Sequence, residues 1–225
     1  GGIDTEDVTV MVFGAFSLSD AVWLDASAGL GFADHRFRRN ATFQESNRII
    51  PQTNVQAVGS PDGREYHAAV GLGYDGQAGA LSFGPYGRLR YIRSKIDAYT
   101  ERDGGSGLGL AVSRSRTTSF TSILGARASY AISNSWGVLV PQGRFEYEHE
   151  FDDDPRTTAT RLALDPGNNS FLVTNDPPDR DSFNVGAGLL FVLPNGWAPF
   201  VDYEGQLGYR DASRHRVTAG LRVEF

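Results

Sequence analysis

Apolar and polar residues alternate with a period of two along most of the chain. The last twelve residues illustrate the pattern: one set of alternate positions is apolar apart from a histidine, and the other is charged or small. The first set is His215, Val217, Ala219, Leu221, Val223 and Phe225, and the second is Arg214, Arg216, Thr218, Gly220, Arg222 and Glu224. Because successive side chains of a β-strand point to opposite faces, this segment predicts a strand with one apolar and one polar face.

The same alternation recurs upstream, and the sequence as a whole predicts nine strands. They lie near 7–17, 21–39, 64–76, 80–102, 113–132, 136–151, 181–193, 197–210 and 214–225. Short turns connect some neighbours, whereas long polar loops near 40–63, 103–112 and 152–180 connect others. Short turns at one end and long loops at the other are typical of outer-membrane barrels. We therefore predict an all-β, antiparallel up-and-down transmembrane β-barrel, formed by one domain over residues 1–225.

A soluble β-sandwich or a lipocalin-like barrel also alternates, and two features favour the membrane barrel. The polar face carries many mid-strand charges, which we expect to face the lumen and neutralise one another: Arg88, Arg90, Arg127, Arg144, Glu146, Glu148, Asp202, Glu204 and Arg222. Aromatic residues also lie near the strand ends, as in the girdles at the two bilayer interfaces. We assign Trp23, Trp136, Trp197 and Tyr209 to these girdles.

The odd number of strands needs an explanation, because single-chain bacterial barrels have an even number. A further strand within 40–63 is one possibility, with Arg48-Ile49-Ile50 or Val55-Gln56-Ala57-Val58 as candidates. Such a strand would reverse the direction of every strand upstream of it. We therefore expect that the chain is trimmed and lacks its first strands.

Composition excludes several classes of protein. There is no Cys, which removes disulfide scaffolds and thiolate chemistry, and no apolar run approaches the roughly 20 residues of a spanning helix. A net charge of −6 argues against a nucleic-acid partner.

We find no catalytic constellation in the sequence. His149 lies between Glu148 and Glu150, but adjacent strand residues point to opposite faces and cannot easily share a site. The run Asp152-Asp153-Asp154 is typical of a solvated acidic loop. No Gly-x-Ser-x-Gly or His-Glu-x-x-His motif is present. We expect no enzymatic activity, no metal site and no cofactor.

Five segments together resemble the β-domains of autotransporters, the proteins of type V secretion. They are Leu124-Gly125-Ala126-Arg127 and the segments 141–151, 181–189, 200–205 and 217–225. The resemblance implies a twelve-stranded outer-membrane barrel, with a helix inside that links it to a secreted N-terminal passenger. Against that pattern, we expect that three strands are missing at the start of this sequence and that residues 1–7 are too few for the linker helix.

The last strand resembles the outer-membrane assembly signal at Thr218, Gly220, Val223 and the terminal Phe225. An exposed edge strand can pair with the barrel assembly machinery by β-augmentation, with Phe225 as an anchor. The alternative is that Phe225 belongs only to the periplasmic girdle.

We predict an outer-membrane translocator or anchor of a Gram-negative bacterium that presents or exports an N-terminal passenger. The expected partners are outer-membrane lipid and lipopolysaccharide, the assembly machinery, and a passenger or linker helix in the lumen. The alternative is a free-standing small barrel that acts as a narrow pore or as a structural anchor for a partner protein.

Overall fold

The computed structural model describes residues 1–43, 53–209 and 213–223, and these residues form strands and connections. The strands are β1 (Gly2–Ser17), β2 (Val22–Phe43), β3 (Thr53–Gly59), β4 (Asp62–Tyr74), β5 (Gly76–Ala78), β6 (Leu81–Ile96), β7 (Tyr99–Thr100), β8 (Leu110–Val112), β9 (Ser115–Tyr130), β10 (Ile132–Asn134), β11 (Gly137–Glu150), β12 (Thr157–Leu162), β13 (Ser170–Thr174), β14 (Asp181–Val192), β15 (Trp197–Leu207) and β16 (Arg214–Val223). Within these ranges no helix is long and apolar enough to cross a bilayer.

Nine long strands form one antiparallel sheet in the order of the chain, β1-β2-β4-β6-β9-β11-β14-β15-β16. Each strand pairs with its predecessor, so that Val10 lies opposite Leu30 and Leu30 lies opposite Tyr66. The sheet curls as part of a barrel wall. The predicted all-β antiparallel meander is confirmed, and these nine strands match the nine segments that alternate in the sequence.

The segment 40–63 holds a strand, but this strand adds no crossing of the barrel wall. β3 contains Val55-Gln56-Ala57-Val58 and pairs with the outer part of β2, which extends to Phe43 instead of ending near residue 39. β3 and β4 are both antiparallel to β2 and therefore run in the same direction. The expectation that a strand here would reverse all upstream directions is wrong for this reason. Arg48-Ile49-Ile50 lies outside the described residues.

The other two long loops contain a second sheet, where the sequence predicted irregular polar segments. Its strand order is β13-β12-β8-β7, and β8 pairs with β12, so the loops 97–114 and 151–180 are joined. Backbone hydrogen bonds in both directions between Val58 and Arg102, at 2.9 Å each, attach this sheet to β3. The long-loop end of the molecule is therefore folded.

The two faces of the main sheet differ in exposure as the alternation predicts. Apolar side chains on one face are open to the surroundings, for example Val12 (74% exposed), Leu124 (61%) and Val217 (71%). A soluble monomer rarely leaves such a continuous apolar area uncovered. The face fits a hydrocarbon environment.

Candidate functional site: the charged face of the sheet

Side chains of the predicted lumenal charges lie on the face opposite the exposed apolar residues, and most of them contact a partner there. The contacts join Arg88 to Asp25, Arg90 to Glu148, Arg127 to Asp75, Arg144 to Glu204, Tyr86 to Glu146, and Gln142 to Asp202. Arg222 lies in register with Ala198 near the short-turn end of β16. The charged face is thus a set of cross-strand pairs.

Several of these pairs connect strands that are not neighbours. Arg88 on β6 donates to Asp25 on β2, with 3.1 Å between Nη2 and Oδ2, although β4 lies between them. Gly71 of β4 is in register with both residues, and a Cβ atom there would lie 2.5 Å from Asp25 Oδ2. Because strands are about 4.8 Å apart, the pair spans about 10 Å and needs the space above a glycine.

The same arrangement recurs at other glycines, and we call it a glycine-bridged pair. The Tyr86 hydroxyl crosses Gly125 and donates to Glu146 over 2.5 Å. Further examples are Arg144 and Glu204 across Gly186, Gln142 and Asp202 across Gly188, and Arg127 and Asp75 beside Gly84. The strand glycines thus allow a charged side chain to reach over the strand between it and its partner.

A cleft of about 570 Å³ opens on this face and is lined by paired charges. Glu204 accepts hydrogen bonds from both Arg144 and Arg216, and Arg90 donates to Glu148 at the cleft wall. Opposite charges at contact distance largely cancel each other's field. Most charges that line the cleft are thus paired, and Arg214 is a lining cation that forms no ion pair with the described residues.

The proposed girdle residues fall into two groups. Trp136 contacts Phe191, with ring centroids 6.1 Å apart, and Trp197 is exposed on the apolar side at the start of β15. Trp23 instead lies on the charged face, where its ring covers Gly73 and the Arg127 guanidinium lies 5.9 Å from the ring. Its assignment to the girdle is wrong, because Trp23 shares the parity of the polar positions of β2.

Tyr209 also differs from the expectation. Gly208 has a φ of 95°, so the chain leaves the strand geometry after β15, and Tyr209 lines the polar cleft. The alternation that would place Tyr209 on the apolar face stops one residue before it.

The residues of the suspected assembly signal lie on β16, except one. Thr218 is opposite Asp202, Gly220 is opposite Phe200, and Val223 is opposite Trp197. Phe225 lies outside the described residues. Within the described ranges β16 pairs with β15 and β1 pairs with β2, so these two strands are the edges of the sheet.

The structure gives His149 a partner that sequence neighbours did not reveal. Asp181 of β14 lies opposite His149 in the register, with 2.7 Å between Nδ1 and Oδ1. The Tyr147 hydroxyl donates to the same carboxylate over 2.5 Å. Only the cross-strand register could have indicated this pair, since Asp181 is far from His149 in the sequence. The group lies on the exposed face near the long-loop end, and among the described residues no cluster of three or more His, Asp or Glu could hold a metal ion.

A buried ion pair holds the folded loops to the barrel. Glu101 (5% side-chain exposure) accepts from Arg39 Nη2 over 2.6 Å and from the Leu110 amide over 3.0 Å. Arg39 Nη2 also donates to the Leu108 carbonyl over 2.8 Å. These contacts connect β2 with both sides of the loop 97–114.

Asp103 organises the tip of the same loop. The Ser106 hydroxyl and the amides of Gly109, Gly105 and Leu108 donate to its carboxylate over 2.7 to 3.0 Å. These hydrogen bonds hold the pKa of Asp103 well below its usual value, because they favour the ionised form.

Comparisons with known proteins agree with this geometry. The chain is similar in structure to the translocator domain of autotransporter NalP from Neisseria meningitidis, with a TM-score of 0.63 and 17% identity over 100% of this chain and 70% of that one. It is also similar to the β domain of the Bordetella autotransporter BrkA, with a TM-score of 0.53 and 16% identity over 100% of this chain and 76% of that one. At these identities the likeness shows the fold. The comparison with curated proteins gives no match.

The family is shown by the sequence itself. A model of the autotransporter beta-domain family matches residues 1–204, a range that extends from β1 into β15 and contains all of the glycine-bridged pairs. The chain therefore belongs to the autotransporter beta-domain family.

Proposed function

We propose that this chain is the membrane-embedded part of an outer-membrane translocator that anchors and presents an N-terminal passenger at the surface of a Gram-negative bacterium. The observation that carries the proposal is the two-sided sheet, with a continuous apolar face and an opposite face of self-neutralised charges. A barrel wall in lipid needs the first, and a water-filled lumen is compatible with the second.

The resemblance of β16 to an outer-membrane assembly signal supports a role for the barrel assembly machinery as a partner. A strand with one unpaired edge can add to another sheet through main-chain hydrogen bonds.

Surface accessibility of three tags tests the proposal in the full-length protein. One tag is placed at the N-terminus of the mature chain, one in the loop at Gly104-Gly105, and one in the short turn at Asp20. The two glycines are suitable because both have positive φ and because a Cβ atom added at either would have no neighbouring atom within 4 Å. Protease is then added to intact cells.

We expect cleavage of the N-terminal tag and the loop tag, and protection of the turn tag. Protection of the N-terminal tag alone would contradict passenger presentation and leave a free-standing barrel. Protection of the loop tag would contradict the outer-membrane placement itself. The two parts of the proposal are thus tested separately.

A further inference from the structure

Three cationic side chains lie in one row across neighbouring strands of the apolar face. Arg64 of β4 is opposite Lys95 of β6, and Lys95 is opposite Arg116 of β9. They share the parity of the exposed Tyr66, Tyr91 and Phe120 and therefore project to the outside of the sheet. We call these three residues the cation row.

The cation row forms no ion pair with the described part of the chain. Like charges that lie directly opposite on neighbouring strands destabilise a sheet. Other cations at this end are paired, Arg38 with Asp4 and Arg114 with Asp97, but none of the described ion pairs includes a member of the cation row. The nearest acids on this face lie one row further toward the loops: Asp34 faces Asp62, and the Asp97 amide donates to the Asp62 carbonyl, while the Asp97 carboxylate is paired with Arg114.

A neighbouring buried donor points to a missing partner. Arg93 lies one row closer to the apolar band, opposite Tyr66 and Thr118. Its Nε is buried and donates to none of the described residues. Buried donors in proteins almost always have a hydrogen-bond partner. The Lys95 ammonium lies 5.6 Å from the centre of the Tyr66 ring, and Tyr66 is the residue opposite Arg93, so Lys95 is held close to Arg93.

The position of the cation row identifies the kind of partner. Beyond the row of Arg93, the rows toward the short turns contain Ala68, Tyr91 and Phe120, then Val70 and Leu89, which are apolar. The row lies on the long-loop side of this band, which is the extracellular end of an outer-membrane barrel. Charged side chains at that level meet lipid headgroups, while the apolar strip below them meets acyl chains.

We propose that the cation row, together with Arg93, binds the phosphate of a phosphorylated glycolipid in the outer leaflet. A phosphate has several strong acceptor oxygens and is matched by arginine guanidinium groups and an ammonium. The apolar strip directly below gives the acyl chains of the same lipid a surface to pack on. This site rests on the outer-membrane placement proposed above, but not on passenger presentation.

Binding of purified lipid A tests the site. The folded full-length protein is exchanged into a non-ionic detergent and titrated with bisphosphorylated lipid A, with its dephosphorylated form, and with inorganic phosphate. The variant is Arg64→Gln/Lys95→Gln/Arg116→Gln. A matched control, Arg38→Gln/Arg161→Gln/Arg180→Gln, removes the same charge elsewhere. Heat-modifiable mobility on gels verifies that each variant is folded, and the single variant Lys95→Gln serves if the triple variant does not fold.

We expect the wild type and the control to bind bisphosphorylated lipid A equally. Each removed cation should weaken binding roughly fivefold, and the triple variant should bind roughly a hundredfold less well. Equal binding by the triple variant and the control would overturn the proposal. Equal binding of the dephosphorylated lipid would overturn the phosphate contact, and full competition by inorganic phosphate would overturn the lipid. If the protease experiment described above leaves the N-terminal tag uncut, lipid A binding is still expected. If it leaves the loop tag uncut, both the outer-membrane placement and the lipid site are overturned.

Discussion

Gly125 provides the sharpest test of the glycine-bridged pairs. In the variant Gly125→Ala, the new methyl carbon would lie 2.4 Å from Cζ and 2.7 Å from the hydroxyl oxygen of Tyr86. The ring must then leave its position and give up its 2.5 Å hydrogen bond to Glu146. Hydrogen bonds to charged groups contribute about 1.5–3 kcal/mol. Glu146 borders a polar cleft and regains water, so we expect a loss of about 2 kcal/mol in the free energy of unfolding.

Gly143→Ala is the matched control, because Gly143 lies on the adjacent strand and its nearest atom to an added Cβ is the Gly186 carbonyl oxygen at 3.9 Å. Both changes restrict the unfolded chain equally, by about 0.4–1 kcal/mol, so this contribution cancels in the comparison. The free energy of unfolding is measured by urea titration of the refolded protein, followed by tryptophan fluorescence.

A double-mutant cycle separates the hydrogen bond from crowding. Tyr86→Phe should cost about 2 kcal/mol in the wild type and almost nothing in the Gly125→Ala background, because the hydrogen bond is already absent there. Equal stabilities of Gly125→Ala and Gly143→Ala would refute the reasoning. So would a full cost of Tyr86→Phe in both backgrounds.

Three further predictions concern the loops and the last strand. Arg39→Ala leaves the buried Glu101 carboxylate without its cation and should speed amide exchange and proteolysis in the loop 97–114, with a local cost of about 1–3 kcal/mol; unchanged protection would contradict the role of this ion pair. The pKa of Asp103 is depressed below the ordinary 3.8, so its contribution to loop stability is present above pH 3.8 and is lost as the pH falls through the lower, folded value. The protection factor of the Gly109 amide against exchange should fall over this range, and Asp103→Asn should abolish the pH dependence of that protection factor. Deletion of Phe225 should lower the amount of folded protein in the outer membrane, while Val217→Ala at the opposite end of the strand should not, and equal yields would remove the assembly-signal interpretation.

The main sheet could be predicted from the sequence because its information is local. Each long strand alternates over ten or more residues, as in β6 and β9, and the face of every mid-strand charge follows from its parity. The strands β7 and β8, of two and three residues, carry no such signal. They exist because β8 pairs with β12, β7 pairs with β8 and the buried Glu101 holds both in place, and a local sequence window reveals none of these contacts.

The features that the sequence did not predict correctly depend on contacts between strands, which a local pattern does not contain. The proximity of Trp23 to a turn suggests a girdle residue, although its parity with Asp25 already indicates the polar face. Asp181 cannot be recognised as the partner of His149 from local sequence, because the register between β11 and β14 depends on the length of the loop that separates them. To recognise a glycine-bridged pair, one must know how three neighbouring strands are aligned. The sequence gives only the spacing of residues within each strand.

Pairing within the wall has a consequence for what the lumen can hold. An unpaired arginine in a polar cleft would attract acidic segments and retain them, because Coulomb attraction strengthens as the surroundings become less aqueous. In this chain Arg88, Arg90, Arg127 and Arg144 each have a carboxylate partner within the wall. Among the described residues, a segment inside the lumen would therefore meet mainly fixed, mutually satisfied dipoles, with Arg214 as a cation that forms no ion pair. Such a surface fits the translocator proposed above better than it fits a selective binding site.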